Sequence, residues 1–206
     1  LQFEVCNNLI NKLIGCIFRR LRNAIFHTEQ RIMELWKGKR LLQLSWQDFG
    51  TAAEKLYQEI AADGFVPDAI VALARGGLPL ATVMAHRFSL HDLRVVSIVR
   101  NASDDRYAKR DRPSLHWIAP PRQEWGPGNL LICDDIAGDG ATLAATVDTL
   151  GEIGGLTLRS AALVCNVNCR NRPDYWATES DDWVVFPWES QRQGNEPREP
   201  LRVAAS

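Results

Sequence analysis

Two adjacent carboxylates, Asp134 and Asp135, stand where the apolar run Leu130-Leu131-Ile132-Cys133 gives way to a loop of small residues. Such a pair can accept hydrogen bonds from sugar hydroxyls, directly or through Mg2+, a cation that prefers oxygen ligands. The loop reads Ile136-Ala137-Gly138-Asp139-Gly140-Ala141-Thr142, and Leu143, Val147 and Leu150 follow at helical spacing. Backbone N–H groups of a loop at the positive end of a helix dipole can cradle a phosphate. A second stretch repeats the design. Arg75-Gly76-Gly77 follows the apolar Ala69–Leu73 and precedes a helical pattern from Leu78 to about Phe88. Arg75 can bind an anion bidentately, while Gly76 and Gly77 let the backbone come close to it. Either loop alone also fits an ordinary βα turn, where Asp and Gly are common. Two in succession point to a phosphorylated sugar.

The elements that must hold these loops are legible from pattern. Ser45-Trp46-Gln47-Asp48 resembles a capping-box helix start, with Asp in place of the longer Glu, and Phe49, Ala53, Leu56 and Ile60 continue one face until Gly64. Ala69–Leu73, Leu93–Val99, Leu130–Cys133 and Ser160–Cys165 read as buried strands. Strands alternating with helices predict an α/β fold, a mainly parallel sheet flanked by helices, with both glycine loops at carboxyl ends of strands. Between Arg100 and Gly128 lies a long segment of weak periodicity carrying Arg106, Lys109, Arg110, Arg112 and Arg122. Loops of this length are commonly functional; the plainer reading is a solvated hairpin held by Trp117 and Trp125.

Three parts are expected: a helical extension at 1–32, a domain at 33–190 and a tail at 191–206, loose at its end. In the first, Ile10, Leu13, Ile14, Ile17, Phe18, Leu21 and Ile25 form one apolar stripe, suited to packing on the domain or across a dimer. A net charge of −1 gives no general attraction to nucleic acid. No apolar run reaches the roughly 18 residues of a membrane span. Five cysteines, without disulfide or zinc spacing, fit a reducing, cytoplasmic setting.

The run of apolar strand, two acids, short loop and Gly-Ala-Thr resembles the phosphoribosyl pyrophosphate signature of type I phosphoribosyltransferases. Ser45-Trp46, the Arg-Gly-Gly loop, Pro173-Asp174-Tyr175-Trp176 and the run Trp183-Val184-Val185-Phe186-Pro187-Trp188-Glu189 narrow the likeness to the bacterial xanthine–guanine branch, over about Leu44–Glu189. The resemblance implies transfer of ribose 5-phosphate from phosphoribosyl pyrophosphate to a purine or purine-like nucleobase, with release of pyrophosphate. It also implies a long mobile loop over the site, a small C-terminal hood and a homo-oligomer. By position, Asp134 and Asp135 would hold the ribose, and Arg75, Gly76 and Gly77 the pyrophosphate. Ile136 to Thr142 would hold the 5′-phosphate, and Glu189 would join both acids around Mg2+. Trp183 and Val184 would flank the base, with backbone groups of Val184 and Val185 reading its edge; a tryptophan-rich core corner is the ligand-free reading of that segment. Three positions depart from the pattern. Gly138 replaces an aspartate that handles a purine proton, Asp139 replaces a threonine that donates to phosphate, and Asn166 replaces a lysine that donates to a 6-oxo group. An asparagine can donate or accept, so guanine and xanthine are expected to be poor substrates beside adenine or another heterocycle. A carboxylate at 139 must point away from phosphate, be protonated or meet a cation. These departures also motivate a second reading, a non-catalytic regulatory protein that binds a nucleotide in the same pocket.

Overall fold

A computed structural model of the chain describes residues 40–101, 110–120, 125–189 and 196–205. The expected helical extension at 1–32 lies outside the described residues, as do 102–109 and 121–124 of the long segment.

The first element is a short strand, β1 (Leu41–Leu44), ahead of the Ser45 start expected from sequence. Helix α1 (Trp46–Ala62) follows, with Ser45 as its N-cap. The Ser45 hydroxyl oxygen accepts the Asp48 N–H at 3.0 Å, and the hydroxyl donates to Asp48 Oδ2 at 2.5 Å. Asp48 thus closes on the Ser45 side chain, where a longer Glu would reach the cap's backbone N–H. Asp63 and Gly64, the latter at φ 77°, end the helix.

Next come β2 (Ala69–Ala74), α2 (Leu78–Arg87), β3 (Leu93–Asn101), β4 (Arg110–Ala119), β5 (Gly128–Ala137), α3 (Ala141–Gly151), β6 (Leu156–Asn166) and β7 (Tyr175–Ser180). Six strands form one sheet in the order β4-β3-β2-β5-β6-β7. Only the β3–β4 pair is antiparallel. The long segment is therefore partly a hairpin built on the sheet edge. Of its two tryptophans, Trp125 is buried and donates from Nε1 to the Pro120 carbonyl at 2.9 Å, whereas Trp117 is exposed.

β5 is covered on both faces, as its apolar run requires. Leu131 and Cys133 pack with Leu56, Ile60, Leu80 and Met84 of α1 and α2, while Leu130 and Ile132 pack with Leu143 and Leu150 of α3. β8 (Trp183–Val185) and β9 (Arg198–Leu201) flank β1 in a second, all-parallel sheet of order β8-β1-β9. The expected hood is thus assembled from three distant segments. The tail is not loose at 198–203: Leu201 and Val203 are buried. No described helix is long and apolar enough to cross a membrane.

Candidate active site

β2 and β5 are neighbours at the centre of the large sheet. From β2 the chain passes to β3 on one side, and from β5 to β6 on the other. Open α/β sheets bind ligands outside the carboxyl ends of strands where the order reverses in this way. Both glycine loops leave the sheet at that point.

Sequence reading expected β5 to end at its acids. Instead β5 continues through them to Ala137, still paired with β6 up to Ala137 opposite Cys165. Its pairing with β2 stops earlier, at Ala72 opposite Cys133. Glycine is the physical reason. A Cβ on Gly77 would collide with the Cys133 carbonyl, and one on Gly76 with the Asp135 carboxylate. The Arg75-Gly76-Gly77 turn packs directly against β5 at the switch point, where sheets of this kind leave a crevice. The two glycines therefore serve a close approach to β5, a role the sequence reading gave to pyrophosphate. Their loop is short and tied down: the Gly77 N–H donates to the Leu73 carbonyl at 2.8 Å, and the Leu78 N–H to the Arg75 carbonyl at 3.2 Å. The Ala74–Arg75 peptide is cis.

Both acids are half-buried, and Asp135 lies against Gly76 of this turn. Asp134 Oδ1 accepts the Asp135 N–H at 3.0 Å, and Asp135 Oδ1 accepts the Ile136 N–H at 2.7 Å. Burial, reinforced by the Asp135 charge, pushes the Asp134 carboxyl well above the usual carboxylate range. Burial and then the Glu189 carboxylate push Asp135 up to about 7, against the lowering effect of the Ile136 N–H. Glu189, which follows β8, thus comes within electrostatic reach of Asp135. Its Oε2 accepts the Phe186 N–H at 3.0 Å, and its own N–H returns to the Phe186 carbonyl, closing a turn.

Burial raises the proton affinity of both carboxyls, and a hard cation beside them would stabilise their ionised form, which fits Mg2+. Among the described residues no group of three or more His, Cys, Asp and Glu side chains is arranged to hold a metal. The expected trio of Asp134, Asp135 and Glu189 is therefore not a complete cage, and a cation there would draw ligands from substrate oxygens and water. Mg2+ commonly binds in that manner.

The second loop, Gly138 to Thr142, turns into α3 at Gly140, whose φ of 76° suits glycine. A Cβ at Gly140 would collide with the Asn171 carbonyl. Of the fates open to Asp139, the structure shows one: its carboxylate folds back, Oδ1 accepting the Ala141 N–H at 3.0 Å.

Asn166 is the last residue of β6 and buried. Its Oδ1 accepts the Asn168 N–H at 2.9 Å. Flipping the amide would set two donors against each other, so the orientation is fixed. The donor Nδ2 is then the amide's remaining group, with no partner among the described residues. In β8 the Trp183 N–H donates to the Arg40 carbonyl, and the Val185 carbonyl accepts Gln43 Nε2 at 3.2 Å. Trp183 and Val185 therefore face β1, and strand alternation turns the backbone groups of Val184 the other way. The expected use of both Val184 and Val185 is narrowed: Val185 has its carbonyl occupied. Gln43 was missed by sequence reading, and only the β1–β8 register reveals it. Asp174 takes no part in the crevice: its carboxylate accepts the backbone N–H and hydroxyl of Ser160, fixing β7 to β6.

Residues 40–193 match the phosphoribosyl transferase domain family. The chain belongs to that family. A xanthine-guanine phosphoribosyltransferase of Nitratidesulfovibrio vulgaris is 27% identical over 157 residues, 75% of this chain and 88% of its own. A counterpart from a Ruegeria species is 26% identical over 162 residues, with the same coverage of 75% and 88%. Among solved structures, a purine phosphoribosyltransferase from Pyrococcus horikoshii superposes with a TM-score of 0.61 at 25% identity, covering 74% of this chain and 96% of its own. A xanthine-guanine-hypoxanthine phosphoribosyltransferase from Helicobacter pylori, at 18% identity and a TM-score of 0.62, shares the fold. Within the family's fold, this phosphoribosyltransferase sets Asp135 against Gly76 of the Arg-Gly-Gly turn, while its second loop carries an acid folded onto α3.

Proposed function

We propose that this chain transfers ribose 5-phosphate from phosphoribosyl pyrophosphate to a 6-oxopurine, releasing pyrophosphate. The observation that carries the reading is the close approach of Asp135 to Gly76 at the switch point, which brings the acid pair expected to bind sugar beside the turn expected to bind an anion. The carboxylates of Asp134 and Asp135 accept ribose hydroxyls. Arg75 offsets charge on the leaving pyrophosphate as the C1′–oxygen bond breaks and a bond from C1′ to a base nitrogen forms, the base's displaced proton passing to the pyrophosphate or to solvent. The α3 N-terminus takes the 5′-phosphate. Val184 offers its backbone to the base edge beside Trp183, and Asn166 Nδ2 donates to a base carbonyl. That last point favours an oxopurine over the adenine expected from sequence, because the amide oxygen already accepts the Asn168 N–H. Mg2+, held by Asp135 and Glu189, would supply positive charge to the pyrophosphate oxygens. A cytoplasmic site of action and a homo-oligomeric state belong to the same reading, the latter open to sedimentation analysis.

Pyrophosphate release with guanine, xanthine, hypoxanthine and adenine tests the reaction. Turnover with the oxopurines is expected, and none with any base, alongside tight nucleotide binding, would favour the regulatory alternative. Replacing Asp134 and Asp135 together by Asn should weaken donor binding at least about tenfold, or 1.4 kcal/mol. Calorimetry showing unchanged affinity in a folded double variant would remove the assignment.

A further inference from the structure

The N-terminus of α3 already holds an anion. Gly140, the N-cap, has no side chain to offer, and the residue before it supplies the bond: Asp139 Oδ1 accepts the Ala141 N–H at 3.0 Å. The loop backbone around this contact is held in place. The Gly140 Cα sits against the Asn171 carbonyl, and the Asn171 N–H donates to the Asp139 carbonyl at 3.4 Å. The carboxylate can therefore leave by rotating its own side chain while the loop keeps these contacts.

We propose that Asp139 is an internal competitor for the donor's 5′-phosphate and sets the enzyme's donor affinity; this rests on the function proposed above. A phosphate monoester carries close to two negative charges near neutral pH. It seeks the same backbone donors and the same dipole end that the carboxylate occupies. Two anions cannot share them, since like charges at this separation repel strongly in a partly desolvated crevice. Binding must break the Asp139–Ala141 bond, which is charge-assisted and of the stronger kind, and move the carboxylate aside. Donor affinity is thereby lowered by a residue that plays no part in bond making. The same contact caps α3 when no donor is bound.

The test uses the full chain and the variants Asp139→Asn and Asp139→Ala, with calorimetric titration of ribose 5-phosphate and, separately, of inorganic pyrophosphate. Asn keeps an oxygen for the Ala141 N–H but carries no charge, so the loop should stay folded, as circular dichroism would report. Ribose 5-phosphate is expected to bind both variants at least about tenfold tighter than the parent, with pyrophosphate affinity unchanged because that ligand belongs at the Arg75 turn. Equal or weaker binding of ribose 5-phosphate would overturn the proposal. So would equal tightening of both ligands, which would mark a general charge effect. Tighter ribose 5-phosphate binding without transfer to any base would uphold the competitor and remove the enzymatic reading. No binding of either ligand to any of the three proteins would overturn both.

Discussion

Gly76 and Gly77 look alike in sequence but meet different neighbours, and their substitutions should differ accordingly. Adding a methyl at Gly76 strikes the Asp135 side chain, which can turn aside, whereas at Gly77 it strikes the backbone carbonyl of Cys133, which cannot. Overpacking of this kind costs about 1–3 kcal/mol. Gly77→Ala is expected at the upper end or beyond in urea denaturation and Gly76→Ala at the lower end; the reverse order would contradict the geometry. Gly76→Ala should still depress donor affinity, since it displaces one of the two acids. At Asn166 the donor assignment predicts that Asn166→Asp keeps the bond to the Asn168 N–H but loses oxopurine turnover at least about tenfold, the worth of one hydrogen bond to a carbonyl. Steady-state kinetics decides it: a parent enzyme that favours adenine would show that Asn166 presents an acceptor.

Helix α1 is held at its start by a cluster whose parts are far apart in the chain. Asp48 accepts the Ser45 hydroxyl, and the Val203 N–H and Arg202 guanidinium approach it at 3.4 Å. The Ser45 hydrogen bond is the main force holding the Asp48 carboxyl below the usual carboxylate range; burial acts in the opposite direction, and Val203 and Arg202 add smaller lowering effects. A carboxyl whose value is depressed on folding contributes stability that is complete above its unfolded value near 3.9 and is lost as pH falls through the folded one. Asp48→Asn should therefore destabilise the protein at pH 7 and flatten its loss of stability below about pH 4. Urea midpoints across that range check this, and parallel pH curves for the two proteins would rule it out. Ser45→Ala removes both the cap and the main cause of the Asp48 shift, and should cost about 1 kcal/mol or more.

The small sheet joins segments that lie far apart in the chain. β1 lies between β8 and β9, so residues before α1 and after Glu189 are tied to the segment that carries Trp183 and Val184. Arg40 bridges Asp182 and Glu199 at 2.7 and 2.9 Å, but its own side chain is largely exposed, and pairs of this kind contribute little. Burial of Leu201 and Val203 matters more, at about 1.5–3 kcal/mol for each full burial. A chain ending at Gly194 is expected to lose about 3 kcal/mol or more of stability and to bind the base more weakly, because β1 loses one of its two neighbours. Thermal unfolding with and without substrates would show this; an unchanged melting temperature would mean that β9 is an ornament on an independent hood.

The sequence alone determined the sheet strands and helices that carry the crevice, and the two loops that form it, because those features are local: apolar runs of strand length, helical spacing, a cap, and glycines beside acids. It could not determine that β5 runs on through Asp134 and Asp135, since strand length there depends on a β6 partner about 28 residues away. Nor could it show that the tail becomes β9, because a short polar Pro-containing run has no strand signature until β1 pairs with it. The roles of Asn166 and Asp139 were ambiguous for a related reason. An amide can face either way and a carboxylate can rotate, so their chemistry is decided by which backbone N–H lies beside them, Asn168 in one case and Ala141 in the other. Those partners are near in sequence, but the turns that present them depend on packing between the β5–α3 loop and the residues after β6, where Gly140 meets Asn171. Residue types disclosed the chemistry available; the contact between two loops 31 positions apart selected which of it the protein uses.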